Sequence, residues 1–96
     1  MTGQEALTLI EELLHAANRG RGLNNLQSSI FLEVWEGRSY REIAEQLEYQ
    51  YDYIKQVGSH LWQSLSQVLE EPVSKSNIQA VLRRYARSQQ FVANAA

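Results

Sequence analysis

The chain has 96 residues, of which 44% are hydrophobic and 21% are charged, and its formal net charge at pH 7 is −2. This length fits one domain, and this balance of apolar and charged residues is ordinary for a globular protein and argues against a disordered chain. The absence of cysteine excludes disulfides and thiolate metal sites, and no apolar run approaches the roughly 18–20 residues that span a bilayer. We therefore expect a globular cytoplasmic domain with no membrane partner.

Apolar residues spaced by three and four predict two helices in the first part of the chain, over residues 4–18 and 25–36. Thr2 and Glu5 have the spacing of a capping box, which places the start of the first helix. Asn24 is a favourable N-cap for the second helix. The apolar positions that define the two helices are Leu7, Ile10, Leu14, Ala17, Leu26, Ile30 and Val34.

Two further helices are predicted over residues 40–47 and 51–69, and only three residues separate them. Two helices joined by so short a turn are typical of a helix-turn-helix. Ser39 and Glu42 form a second capping-box pattern at the start of the shorter helix. A small residue at Ala44 allows the longer helix to cross closely.

A fifth helix is predicted over residues 75–86, with Ser74 as its cap. The last residues are rich in Ser, Gln, Asn and Ala, and we expect them to fray. These features predict a helix-turn-helix domain over residues 1–86 and a flexible tail over residues 87–96. The expected fold class is all-α, a compact bundle of about five helices that contains a helix-turn-helix.

Three residues are interpreted as packing positions. Gly58 lies inside the fourth helix, where glycine costs about 1 kcal/mol relative to alanine. It therefore predicts a close approach by another element of the same domain. Trp35 and Trp62 are expected to lie in the core.

The segment of residues 39–55 resembles the helix-turn-helix of sigma-factor region four and of LuxR-type regulators. The shared pattern is a capped helix with Ile-Ala-x-x-Leu at residues 43–47, a tight turn, and a helix with Val or Ile before Lys55. In those families the exposed residues at the start of the second helix face the DNA major groove. The chain departs from the pattern at Glu48, where glycine is frequent, and at residues 56–57, where a more basic run is usual.

Further positions extend the match to most of the chain. They are Leu23, Leu26, Gln27, Trp35, Gly37, Ser39, Tyr40, Ile43, Ala44, Tyr49, Tyr53, Ile54, Lys55, Val57, Gly58, Ser59, Leu61, Trp62, Leu65, Ser66, Val73, Ser74, Lys75, Asn77, Leu82 and Tyr85. Over residues 4–86 they resemble the N-terminal helix-turn-helix module of large cyanobacterial signalling proteins, the vWA-MoxR associated protein N-terminal type. Those proteins carry NACHT- or AAA-type NTPase regions and WD-repeat or TPR regions behind the module. The resemblance implies a regulatory recognition module and a chain that is a fragment of a longer protein.

Candidate DNA contacts lie at the starts of the third and fourth helices. The candidates expected to face bases are Gln50, Tyr51, Asp52, Tyr53, Lys55, Gln56 and Ser59. Glutamine can pair with adenine and lysine can reach guanine in the major groove. The candidates expected to hold phosphates are Arg38, Ser39 and Arg41.

The sequence leaves two functions open, a DNA-binding regulatory module and a protein-interaction adaptor of a larger signalling or defence protein. Asp52 opposes DNA because a carboxylate repels phosphates, and Tyr49, Tyr51 and Tyr53 favour a protein partner because aromatic residues are enriched in interfaces. A positive surface around the fourth helix would support DNA, and a neutral apolar patch would support a protein. DNA binding by one copy should be weak, so homodimerisation or tethering would supply avidity.

An enzymatic function is not expected. His15 and His60 are the only histidines, and neither belongs to a metal-binding spacing. The sequence has no Gly-rich phosphate loop and predicts no cofactor.

Overall fold

The computed structural model describes residues 1–17 and 22–95, with side chains up to residue 88. The described residues form the helices α1 (Gly3–Ala17), α2 (Asn25–Trp35), α3 (Tyr40–Leu47), α4 (Tyr51–Leu69) and α5 (Ile78–Ala95). None of these residues lies in a strand, which confirms the all-α fold class. Over the same part of the chain, no helix combines the length and the apolar character needed to cross a membrane.

The structure reproduces the predicted bounds of α3 and α4 and corrects those of α5. Residues 75–77 form a turn rather than helix, because the Asn77 side chain accepts from the Ser74 N–H at 2.7 Å and donates to the Pro72 carbonyl at 3.0 Å. The helix then passes its predicted end at residue 86 and reaches Ala95, since Arg, Ser, Gln and Ala do not break a helix. The flexible tail at residues 87–96 stays a prediction.

Side-chain caps fix the starts of α1, α2 and α3. Ser39 Oγ accepts the Glu42 N–H at 3.1 Å, and the Ser39 N–H donates to Glu42 Oε1 at 3.0 Å. The same reciprocal bonds link Thr2 and Glu5, and Asn24 caps α2, so these three predicted caps are confirmed. The predicted cap of the fifth helix is wrong, because Ser74 lies four residues before the first residue of α5 and its hydroxyl bonds to the Ser76 hydroxyl. The backbone N–H bonds from Thr2 and Ser39 lower the pKa of the Glu5 and Glu42 carboxyls. Asn18, the predicted end of the first helix, lies outside the described residues.

The inner faces of the five helices form one core. Ile43 on α3 and Ile54 on α4 are fully buried, so the helix-turn-helix packs against the other helices through these side chains. The expected burial of Trp35 and Trp62 is confirmed, at 7% and 6% exposure. The remaining buried apolar residues are Ala6, Leu7, Ile10, Leu14, Ile30, Phe31, Val34, Ala44, Leu61, Leu65, Val73, Ile78, Val81 and Leu82.

The close approach that Gly58 predicts is made by Tyr40 of α3. A Cβ atom added to Gly58 would lie 2.7 Å from Tyr40 Oη and 3.0 Å from Tyr40 Cε1. The same hydroxyl accepts a hydrogen bond from Trp62 Nε1 at 2.8 Å, which holds the ring in place. Lys75 Nζ lies 5.5 Å from the centre of the Tyr40 ring. The crossing of α3 and α4 therefore depends on glycine at this position.

Candidate nucleic-acid interface

The outer face of α4 carries several of the predicted contact residues. At 100° per residue, Asp52, Gln56 and Ser59 fall within about 60° of one another around the helix axis, opposite the buried stripe that includes Ile54 and Leu61. The structure places every predicted contact residue at an exposed position: Arg38, Ser39, Arg41, Gln50, Tyr51, Asp52, Tyr53, Lys55, Gln56 and Ser59. They lie at the starts of α3 and α4, in the residues just before these helices and, for Gln56 and Ser59, further along the outer face of α4.

The turn between α3 and α4 keeps the geometry that glycine usually provides. Glu48 adopts the left-handed conformation, with φ 61° and ψ 43°, and the Tyr49 N–H bonds to the Ala44 carbonyl at 3.0 Å. Gln50, the N-cap of α4, makes no side-chain bond to the first turn of the helix. The first N–H groups of α4 therefore lack a side-chain cap at the exposed end of the helix-turn-helix.

Two cations flank one edge of α4. The guanidinium carbon of Arg41 lies 5.3 Å from the centre of the Tyr51 ring, and Lys55 Nζ lies 5.8 Å from it. Among the described residues, the salt bridges join Arg38 to Glu33 and Arg84 to Glu71. Arg41 and Lys55 thus carry positive charge that no carboxylate of this part of the chain neutralises. We call Arg41, Tyr51 and Lys55 the basic edge.

The other two predicted phosphate contacts are already engaged within the chain. The Arg38 guanidinium is paired with the Glu33 carboxylate, and the Ser39 hydroxyl caps α3. Either could still reach a phosphate only by sharing or giving up that partner. Arg41 is the predicted phosphate contact whose charge is free.

The opposite edge of α4 carries a pair of tyrosines. The rings of Tyr49 and Tyr53 are 5.5 Å apart and tilted by 35°, and the residues are 47% and 46% exposed. Tyr53 lies about 160° around the helix from Lys55. Glu48 and Asp52, both exposed, immediately precede the two tyrosines in the sequence. We call Tyr49 and Tyr53 the tyrosine pair.

The surface around α4 is neither uniformly positive nor a neutral apolar patch. Residues 39–59 contain two basic residues, Arg41 and Lys55, and four acidic ones, Glu42, Glu45, Glu48 and Asp52. Sequence reasoning chose exposed residues but missed this division into two edges. The four-residue spacing of Tyr51 and Lys55 could have indicated their contact. The contact of Tyr51 with Arg41 depends on how α3 crosses α4 and left no signal in the sequence.

Comparison with known proteins bears out the family resemblance. A family model described as vWA-MoxR associated protein N-terminal HTH, that is, helix-turn-helix, matches residues 1–85. The matched residues include all of α3 and α4. No curated protein and no solved structure matches the chain.

Proposed function

This chain belongs to the vWA-MoxR associated protein N-terminal helix-turn-helix family, and we propose that it is a regulatory module that binds DNA through α4 and the basic edge. The carrying observation is that Arg41 and Lys55, on two different helices, meet over Tyr51 without a carboxylate partner among the described residues. In other helix-turn-helix proteins the start of the second helix enters the major groove. Here two free cations lie beside that start.

The residues divide into two roles in this proposal. Arg41 and Lys55 contact phosphates, and the Tyr51 ring keeps their charges together through cation–π attraction. Lys55 thus takes a different role from the base contact that the sequence predicted. Asp52 and Gln56 face the base edges from the outer side of α4. Glutamine pairs with adenine, and a carboxylate accepts from the cytosine amine. The uncapped N–H groups at the start of α4 favour a nearby phosphate as well.

The charge of the chain sets the expected strength of binding. Its net charge is −2, and four carboxylates lie in residues 39–59 against two cations. Few phosphates can be neutralised, so one copy should bind weakly, and the slope of log affinity against log salt should be shallow, about −2 for two phosphate contacts. Tethering within a longer protein, or a second copy, would raise the effective affinity.

Fluorescence anisotropy of a labelled random-sequence duplex, at low salt and again near physiological salt, tests the proposal. We expect Arg41→Ala and Lys55→Ala each to weaken binding and to reduce the slope of log affinity against log salt by about 1. Arg84→Ala is the matched control. It also removes one positive charge from an exposed arginine, but Arg84 lies on another part of the surface and is paired with Glu71. It should leave the affinity nearly unchanged.

Two results would contradict DNA binding by this surface. One is no saturable binding to the labelled duplex at concentrations of the chain up to about 100 μM at low salt, the weak end of ordinary non-specific binding. The other is an equal loss in Arg84→Ala, which would mean that overall charge, and not the basic edge, sets the affinity. Asp52→Asn sharpens the test, because removing a carboxylate from the outer face of α4 should strengthen binding to random DNA.

Protein interaction is the second candidate function. The exposure of Tyr49, Tyr51 and Tyr53, between 40% and 47%, favours it. Aromatic side chains bring large contact areas at little cost in conformational entropy, which is why they are enriched in interfaces.

A further inference from the structure

We propose that the tyrosine pair, together with the exposed carboxylates of Glu48 and Asp52 that precede its two residues in the sequence, binds arginine or lysine side chains of an extended, basic protein segment. The inference rests on the second candidate function, protein interaction, and does not depend on DNA binding. Its surface lies on the opposite edge of α4 from Arg41 and Lys55.

The geometry of the tyrosine pair suits a cation. A cation within about 6 Å of a tyrosine ring centre is attracted to the face of the ring. Tyr49 and Tyr53 touch each other with ring centres 5.5 Å apart, and each keeps nearly half of its surface exposed. The contact between the rings orients both before any partner arrives, so little side-chain entropy is lost on binding.

Tyr51 shows that a tyrosine ring on this surface can bind cationic side chains. Its ring already holds two of them, Arg41 at 5.3 Å and Lys55 at 5.8 Å. Among the described residues, cations lie over the rings of Tyr51 and Tyr40 and over no others. Tyr49 and Tyr53 thus have the same chemistry as Tyr51 but no cation from this part of the chain.

The local charge selects the kind of partner. Glu48 and Asp52 are exposed, and neither takes part in a salt bridge among residues 1–17 and 22–88. Glu48 comes just before α4 and Asp52 lies on its outer face, about 100° around the helix from Tyr53. These unpaired carboxylates give the surface a negative charge that attracts positive side chains and repels a phosphate backbone. The site is an open surface rather than an enclosed cavity, which suits an extended segment with spaced cations better than a small free cation.

The test uses four fluorescein-labelled peptides of equal length in which glycine alternates with arginine, lysine, serine or glutamate. The intact chain should bind the arginine and lysine peptides with saturation and the serine and glutamate peptides much more weakly. Tyr49→Leu and Tyr53→Leu should each weaken binding of the arginine peptide by roughly two- to fivefold, the range for an exposed cation–π contact. Tyr49→Phe and Tyr53→Phe keep the ring face and should bind nearly as tightly as the unchanged chain.

Matched controls separate this surface from general acidity. Tyr51 lies on the other edge of α4, so Tyr51→Leu should leave peptide affinity unchanged. Asp52→Asn removes a carboxylate from this surface and should lower peptide affinity. Circular dichroism checks that each variant is folded, which the exposure of these residues leads us to expect.

Three results would overturn binding of any basic segment by the tyrosine pair, and a fourth would overturn the cationic character of its partner. The three are failure of the basic peptides to bind, equal binding in the leucine variants, and equal loss in the leucine and phenylalanine variants. Binding of the serine or glutamate peptide as tightly as the arginine peptide would overturn the choice of a cationic partner while leaving protein interaction itself supported. Duplex DNA binding should be measured on the same variants. Because the DNA proposal depends on Arg41 and Lys55 and not on the tyrosine pair, a failure of either proposal can be recognised independently of the other.

Discussion

Tyr40 lies on the buried side of the α3–α4 helix pair, whereas Tyr51 and Tyr53 lie on its exposed side. The Tyr40 hydroxyl is held by Trp62, and its ring packs where only Gly58 leaves room. Tyr51 and Tyr53 are 40% and 46% exposed and meet charged or aromatic side chains at the surface. The comparison teaches that tyrosine fixes the crossing of the two helices on the buried side and presents partly exposed rings to solvent on the other side. Variants on the buried side should change stability, and variants on the exposed side should change binding.

The largest effect is expected at Gly58. Gly58→Ala gains about 1 kcal/mol of helix propensity, but its Cβ would lie 2.7 Å from Tyr40 Oη. Overpacking of this kind typically costs about 1–3 kcal/mol, so we expect a net loss of stability in urea unfolding. Ser59→Ala, at the neighbouring exposed helical position, should change stability little. A Gly58→Ala variant more stable than the parent chain would show that α3 and α4 can separate at no cost.

Tyr40→Phe sharpens the same comparison. It removes the acceptor of the Trp62 Nε1–H, which should cost about 1 kcal/mol. It also removes the atom nearest to a new Cβ, so Gly58→Ala should cost less in the Tyr40→Phe background than alone. Tyr53→Phe, on the exposed side, serves as the control and should be nearly neutral. Strict additivity of the two buried-side changes would contradict the contact.

A gain of stability is expected at Glu48. The residue adopts a left-handed conformation that costs L-amino acids about 1 kcal/mol and glycine much less. Glu48→Gly should therefore raise the free energy of unfolding by about 0.5–1 kcal/mol, measured by urea denaturation. Glu45→Gly, inside α3, should lower it by about 1 kcal/mol. A loss of stability in both variants would show that the conformation of Glu48 carries no strain.

The smallest expected effect is a change in pH dependence at Glu42. The Ser39 N–H bond lowers the pKa of the Glu42 carboxyl in the folded chain. The stability that this carboxylate contributes is therefore present above its pKa in the unfolded chain and is lost as pH falls through its pKa in the folded chain. Glu42→Gln keeps an acceptor for the bond but does not titrate. Urea unfolding in steps from neutral to acidic pH should therefore show a weaker acid dependence for this variant. Identical pH profiles would contradict the linkage.

Local patterns predicted much of the fold. Capping boxes and helical spacing gave the bounds of α3 and α4, and the glycine at position 58 predicted a close contact. Tyr40 could not be identified as the partner of Gly58 because they are far apart in the sequence and meet only through packing. The end of α5 was misplaced because polar residues after Ala86 favour fraying without preventing a helix.

For the candidate site, the sequence predicted which residues are exposed but not how they group. Arg41 and Tyr51 come together only because α3 crosses α4. Tyr49 precedes α4 and Tyr53 lies within it, so helical spacing alone does not bring their rings together. The division of this surface into a basic edge and a tyrosine pair is therefore a product of tertiary structure.

DNA binding by the exposed side of the α3–α4 pair is tested most directly by adding a random-sequence duplex to the isotope-labelled chain and following the assigned amide signals by nuclear magnetic resonance. We expect the largest shifts at Arg41 and over residues 51–59, with small shifts in α1 and at Trp62. The same signals should move less in the Arg41→Ala variant. Shifts centred on α1 or α5, or none at concentrations of about 100 μM at low salt, would contradict DNA binding through this surface.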